Sequence, residues 1–136
     1  MSERYLIDTD VLVAGEHTPE IVADWIESKH DVATCDVVRA EFLVGVHAPS
    51  QAATREKARR YYEEHIAVLP SLPIEKADYD QAGRLIGEAI RHGKARPSLG
   101  DGLIAACALR EGLIVATKNV TDFKAMGCDT EDPFKS

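Results

Sequence analysis

Short apolar runs alternate along this chain with longer stretches in which apolar residues recur every three or four positions. Tyr5-Leu6-Ile7 has the continuous apolar character of a buried strand, as do Val32-Ala33-Thr34, Ala67-Val68-Leu69 and Leu113 to Ala116. Between them the spacing is helical. Thr18 can cap a helix that starts at Pro19 and repeats as Ile21, Val22, Trp25 and Ile26. Asp36 can cap another that runs to about His47, where Pro49 stops it. A polar helix is predicted from about Ser50 to His65, an amphipathic one from Ile74 to Arg91 ended by Gly93, and a further one from Gly100 to Arg110 ended by Gly112. Continuous apolar strands separated by helices are the pattern of a three-layer α/β domain, with a central, mainly parallel sheet of four or five strands covered by helices on both faces. No repeat, low-complexity stretch or long linker divides the chain, so residues 1–136 are read as a single domain.

Parallel sheets place ligand sites beyond the carboxyl ends of their strands, which directs attention to the polar residues there. Asp8 follows the first strand at what reads as a helix start, where it can act as an N-cap. Asp10 stands inside the following turn and is expected to point away from the strand end. Glu41 shares a helical face with Val37 and Val44, and that apolar setting predicts an inward carboxylate, costly unless paired or bound to a metal. Asp101 forms an S-x-x-D capping pattern with Ser98, and its charge suits a helix N-terminus. It also lies on the face of Ile104, Ala105 and Ala108, so it is placed to meet Asp8. After the fourth strand, Asn119 can serve a turn and Asp122 can cap a last short helix.

Charge and composition narrow the chemistry. Sixteen Lys and Arg against 23 Asp and Glu leave a net charge of −7, which argues against holding nucleic acid by bulk charge. The three cysteines, Cys35, Cys107 and Cys128, are widely separated and form no C-x-x-C, so neither a disulfide framework nor a zinc knuckle is suggested and a reducing compartment fits. Only three apolar residues follow Arg4 before Asp8, too few for a signal peptide, and the apolar run Leu103 to Leu109 is too short to cross a bilayer, so a cytoplasmic, membrane-free protein is expected. Basic residues gather in two windows, Arg55, Lys57, Arg59 and Arg60, and Arg91, Lys94 and Arg96. The first reads as a solvated helix surface. The second precedes Asp101 and is the better candidate for phosphate contact, together with Lys118. Tyr61 and Tyr62 are expected to be core or dimer contacts.

The order of these motifs resembles that of a PIN domain of the VapC toxin type over almost the whole chain. Asp8-Thr9-Asp10-Val11-Leu12 is similar to its opening D-T-x-x-L, Ala40-Glu41-Phe42 to its A-E-[LF], Asp101 to Ala106 to its D-x-x-I-A-A, and Thr117 to Phe123 to its T-x-[ND]-x-x-[DE]-F. The resemblance implies a metal site at Asp8, Glu41 and Asp101, with Asp8 and Asp101 as principal ligands and Glu41 acting through water or orienting the nucleophile. Asn119 stands where the family commonly has a fourth acid and Asp122 is the nearest carboxylate, so either can give outer support. An all-oxygen set without His or Cys suits Mg²⁺, or Mn²⁺, and disfavours zinc. The implied activity is an endoribonuclease that cleaves tRNA- or rRNA-class RNA with a metal-activated water. The implied partners are a VapB-type antitoxin and a second copy of the chain in a homodimer. With five acids (Asp8, Asp10, Glu41, Asp101 and Asp122) in or beside such a site, a net negative charge is compatible with cutting RNA.

Two other readings compete. Asp8-Thr9-Asp10 has the D-x-D form of a haloacid dehalogenase-like phosphohydrolase, with Lys118 as its phosphate lysine. That motif wants Thr or Val where Leu12 stands and leaves Glu41 unused. Asn119 keeps open a non-catalytic PIN-like binding module.

Overall fold

Tyr5, Leu6 and Ile7 are fully enclosed because their strand, β1 (Arg4–Ile7), lies in the middle of the sheet. The structure, a computed structural model, describes residues 3–135. With β2 (Asp31–Cys35), β3 (Ser71–Leu72), β4 (Ile114–Ala116) and β5 (Thr130–Glu131), β1 forms a five-stranded sheet in the order β3-β2-β1-β4-β5, and all four pairings are parallel. The connections from β1 to β2 to β3 step one way along the sheet, and those from β3 to β4 to β5 step the other way. Right-handed crossovers therefore place their helices on opposite faces, which produces the three-layer α/β architecture expected from the alternation of elements.

The first half of the chain contributes α1 (Thr9–His17), α2 (Pro19–Glu27), α3 (Asp36–His47) and α4 (Ala52–Tyr61). The second half contributes α5 (Lys76–Arg91), α6 (Leu99–Glu111) and α7 (Val120–Ala125). α6 is buried from Gly102 through Ala108, as its almost unbroken apolar sequence requires, and it packs against α5, α3, α7 and β4. It ends at Gly112, whose φ of 68° is the left-handed conformation that favours glycine at a helix end. Cys35, Cys107 and Cys128 are free and buried. No helix among the described residues is long and apolar enough to cross a membrane.

Several local expectations are corrected. Ala67 to Leu69 is not a strand. α4 runs on into one π-helical turn over Tyr62–Ile66, Ala67 N donates to Tyr62 O (2.8 Å), and Leu69 N donates to Ile66 O (3.0 Å), so turn bonds consume this segment's backbone donors. Pairing with β2 starts one step later, where Thr34 N donates to Pro70 O (2.8 Å) and Ser71 stands beside Thr34. Cys35, not Asp36, is the N-cap residue of α3, and Asp36 accepts from Ser71 Oγ instead (2.7 Å). β5 has too little apolar character to stand out in sequence. Tyr62 stacks on Phe42 with ring centroids 6.1 Å apart and Tyr61 tilts against the same ring, so both are core contacts.

Candidate active site

The sheet order reverses direction between β1 and β4, which opens a crevice beyond their carboxyl ends. The register pairs Ile7 with Ala116, and Asp8 N donates to Ala116 O (2.9 Å), so the next residues, Asp8 and Thr117, stand side by side at the floor of this crevice. Thr117 Oγ1 donates to Asp8 Oδ2 (2.8 Å), while Asp8 Oδ1 accepts from Thr9 N (2.7 Å) and caps α1. The N-cap role and the site role of Asp8 are thus carried by different oxygens of one carboxylate.

Asp8 is only 4% exposed. Burial pushes its carboxyl up to about 8, with help from the negative charges of Asp10 and Asp101 and against the stabilising bonds from Thr117 and Thr9. Asp101 enters from the first turn of α6, where Ser98 Oγ accepts from Asp101 N (3.1 Å) as the expected cap. Its carboxyl is likewise raised, chiefly by burial, then by Glu41 and Asp122 despite the Ser98 bond. Asn119 Nδ2 bridges two carboxylates, donating to Asp122 Oδ2 (2.9 Å) and Asp101 Oδ2 (3.3 Å). Asn119 is the N-cap residue of α7, and Asp122 lies within that helix's first turn rather than capping it.

Glu41 reaches the crevice by a different route from the one its sequence suggests. The buried stripe of α3 is Val38, Phe42 and Val46, whereas Val44 is 69% exposed and Glu41 is exposed. Glu41 therefore comes in from the rim and does not face the core. Thr9 Oγ1 donates to its Oε1 (2.6 Å), and its other oxygen lies against Gly100, where an added Cβ would stand 2.5 Å from Oε2. The absence of a side chain at Gly100 is what lets the carboxylate of α3 lie against the start of α6.

Asp10 belongs to this crevice too. At the start of α1 its side chain tilts back toward the helix N-terminus, accepting from Lys118 N (3.2 Å to Oδ2) and, at longer range, from Thr117 Oγ1 (3.5 Å). A cavity of about 880 Å³ is lined by Asp8, Asp10, Glu41, Asp101, Lys118 and Asn119, together with further residues of α1 and Phe134. Of the four basic residues expected to meet RNA, Lys118 lines it. Lys94 and Arg96 line a separate depression, and the exposed Arg91 lies outside the cavity lining. In the other basic window Arg59 is paired with Glu56 and Glu63, and Arg60 with Glu56, as a solvated helix surface requires.

Thr9, Thr117 and Gly100 escaped the sequence reading. Thr9 stands between Asp8 and Asp10, and Thr117 opens the motif that contains Asn119 and Asp122, so hydroxyls within the motifs were available as a signal. Only the strand register shows that Thr117 meets Asp8.

The donor set is all oxygen, from carboxylates on three helices and one strand end, and burial, with the neighbouring acids, pushes the Asp8 carboxyl up to about 8. These residues fit a hard divalent cation. Among the described residues no three His, Cys, Asp or Glu side chains stand close enough together to hold an ion as they are. The bonds to Thr9, Thr117 and Asn119 hold the carboxylates to separate partners.

A family model described as PIN domain matches residues 5–127. No curated protein matches the chain. Among solved structures, FitAcB from Neisseria gonorrhoeae is 26% identical with a TM-score of 0.83, over 97% of this chain and 99% of that one. VapBC-5 of Mycobacterium tuberculosis, a member of the VapBC family of toxin-antitoxin systems, is 27% identical with a TM-score of 0.71, over 94% and 95%. The DNA-bound VapBC of Salmonella typhimurium shares the fold at 21% identity and a TM-score of 0.82, over 96% and 98%.

Proposed function

The chain belongs to the PIN-domain family, and from that premise we propose that its crevice is the active centre of a metal-dependent endoribonuclease acting as the toxin of a toxin-antitoxin pair. The observation that carries this reading is the convergence of Asp8, Glu41, Asp101 and Asn119 on one cavity at the β1–β4 switch point, in an all-oxygen donor set. Asp8, Asp101 and Glu41 would hold Mg²⁺, or Mn²⁺. Such an ion, when bound, lowers the pKa of a water and offsets charge on the leaving oxygen of a phosphodiester.

The chain's own residues then have distinct tasks. Thr117 Oγ1 and Thr9 N orient Asp8 through its two oxygens, at the lining of the cavity. Thr9 Oγ1 aims Glu41, and Asn119 steadies Asp101 and Asp122 by donating to both. Lys118 supplies a positive charge at the cavity wall for substrate phosphate. Arg91, Lys94 and Arg96, exposed ahead of α6, are proposed contacts for phosphates outside the cavity. The same acidic cavity suits a basic segment of a VapB-type antitoxin. A homodimer and a cytoplasmic setting complete the proposal.

The test is cleavage of labelled tRNA, rRNA fragments and single-stranded DNA with Mg²⁺, Mn²⁺ or EDTA. The expected result is metal-dependent cutting of RNA, lost in Asp101→Asn and Asp8→Asn while circular dichroism shows both variants folded. RNA cleavage by both variants at the wild-type rate would refute the assigned site. Robust release of phosphate from a small phosphoester without RNA cleavage would refute the nuclease reading.

A further inference from the structure

The proposed chemistry needs only oxygen ligands and a cation for phosphate, yet the cavity also has an apolar side, with Val13 and Ala14 of α1 and the ring of Phe134 in its lining. Resting on the nuclease reading, we infer that Phe134, with Lys118 beside it, is a stacking platform for a nucleobase of a single-stranded RNA substrate.

The sheet itself brings Phe134 to the site. β5 is the last strand and runs parallel to β4, so the chain leaving it emerges at the same end of the sheet as Asp8 and Asn119. Val115 N donates to Asp129 O and Thr117 N to Glu131 O (both 2.9 Å), which fixes β5 to the strand whose next residues hold the acids. Beyond Glu131 the backbone turns at once. Asp132 Oδ1 accepts from Phe134 N (2.9 Å) and Asp132 O accepts from Lys135 N (3.1 Å), and this turn directs the ring of Phe134 into the lining of the cavity.

The ring is half-buried, with its inner side against the core and the rest available to the cavity. Lys118 Nζ lies over the ring, 5.1 Å from its centroid, and forms no ion pair among the described residues, so this flexible side chain would swing aside to give a base that face. An aromatic face next to an unpaired ammonium matches a nucleotide, whose base stacks on the face while its phosphate meets the cation. A volume of about 880 Å³ holds such a unit beside the carboxylates. Stacking accepts any base, so Phe134 contributes preference for unpaired nucleotides over duplex and little preference among bases.

The experiment compares wild type with Phe134→Ala, Phe134→Leu and Phe134→Trp. Cleavage of a labelled single-stranded RNA with Mg²⁺ should show KM raised about 5- to 150-fold in Phe134→Ala and also raised in Phe134→Leu, with kcat much less affected. Phe134→Trp should keep KM near wild type. Phe134→Leu retains an apolar side chain against the core, so a wild-type KM in that variant would mean that packing suffices and would overturn the proposal. The second readout does not depend on cleavage. Trp25 is the chain's single tryptophan, so its emission in wild type is the baseline against which Phe134→Trp is measured. Single-stranded RNA should quench the added emission and inorganic tripolyphosphate should not. Equal quenching by both probes, or none by RNA, overturns the platform. Quenching by RNA together with absence of cleavage by wild type refutes the nuclease reading and leaves the platform standing.

Discussion

Replacing Asp8 by asparagine separates two roles that one carboxylate now combines, capping a helix and sitting buried among other acids. The amide keeps an oxygen for Thr9 N, so the cap of α1 survives. Thr117 Oγ1 loses its acceptor at 2.8 Å, but its proton can turn to Asp10 Oδ2, already 3.5 Å away. What disappears is the charge. In the metal-free protein burial and the charges of Asp10 and Asp101 push the Asp8 carboxyl up to about 8, against 3.8 for the unperturbed group. Below about pH 4 both states hold the proton. Between pH 4 and pH 8 the folded state keeps a proton that the unfolded state has released, so wild-type stability falls as pH rises, and the fall levels off above pH 8. At pH 7 the ceiling on this loss is about 4 kcal/mol, at 1.36 kcal/mol per unit, and the openness of the crevice to water reduces the expected effect to on the order of 2 kcal/mol. Thermal melts in EDTA should therefore show Asp8→Asn equal to wild type near pH 4 and more stable by roughly 5–10 °C at pH 8. Saturating Mg²⁺ should stabilise wild type and leave the variant's melting temperature little changed, closing the gap. A difference between the two proteins that does not change from pH 4 to pH 8, or a variant less stable than wild type at pH 8, would refute the account of Asp8 as a desolvated, crowded acid.

Gly100→Ala should hold or gain up to about 1 kcal/mol of stability from helix propensity while weakening Mg²⁺ binding, because the new Cβ would displace the Glu41 carboxylate; calorimetric Mg²⁺ titration beside a thermal melt checks both halves. Arg110→Ala should cost about 2–4 kcal/mol in denaturant unfolding, since it leaves the 2%-exposed Asp78 carboxylate without the guanidinium that bonds both its oxygens (3.1 and 3.0 Å). Adding Asp78→Asn to that variant should recover part of the loss.

The alternation of apolar runs and helical spacing was sufficient to read the parallel α/β architecture, because strands buried on both faces and helices with one buried stripe leave distinct periods in a sequence. The acids were legible for a related reason. Asp8 follows an apolar strand directly, Asn119 lies three residues past the end of another, and Asp101 follows a serine at capping distance, so local chemistry marks each of them. Glu41 stands in its motif, but the apolar face it shares with Val37 and Val44 points to an inward carboxylate and the structure places it at the rim. A helix with apolar residues on more than one face does not reveal which face the core takes, and here the core took Val38, Phe42 and Val46. Strand register lies further from what a sequence can disclose. The pairing of Ile7 with Ala116 is set by packing across the whole sheet, and it alone brings Thr117, 109 residues away, onto Asp8. β5 is two residues long with no apolar run, so only its bonds to β4 make it a strand and carry Phe134 to the crevice. Periodicity and strand-end position were enough to mark the layers of the fold and the acids proposed for the site. Tertiary structure decided which of those residues meet, because contact between elements distant in the chain depends on register and helix facing, which local composition does not encode.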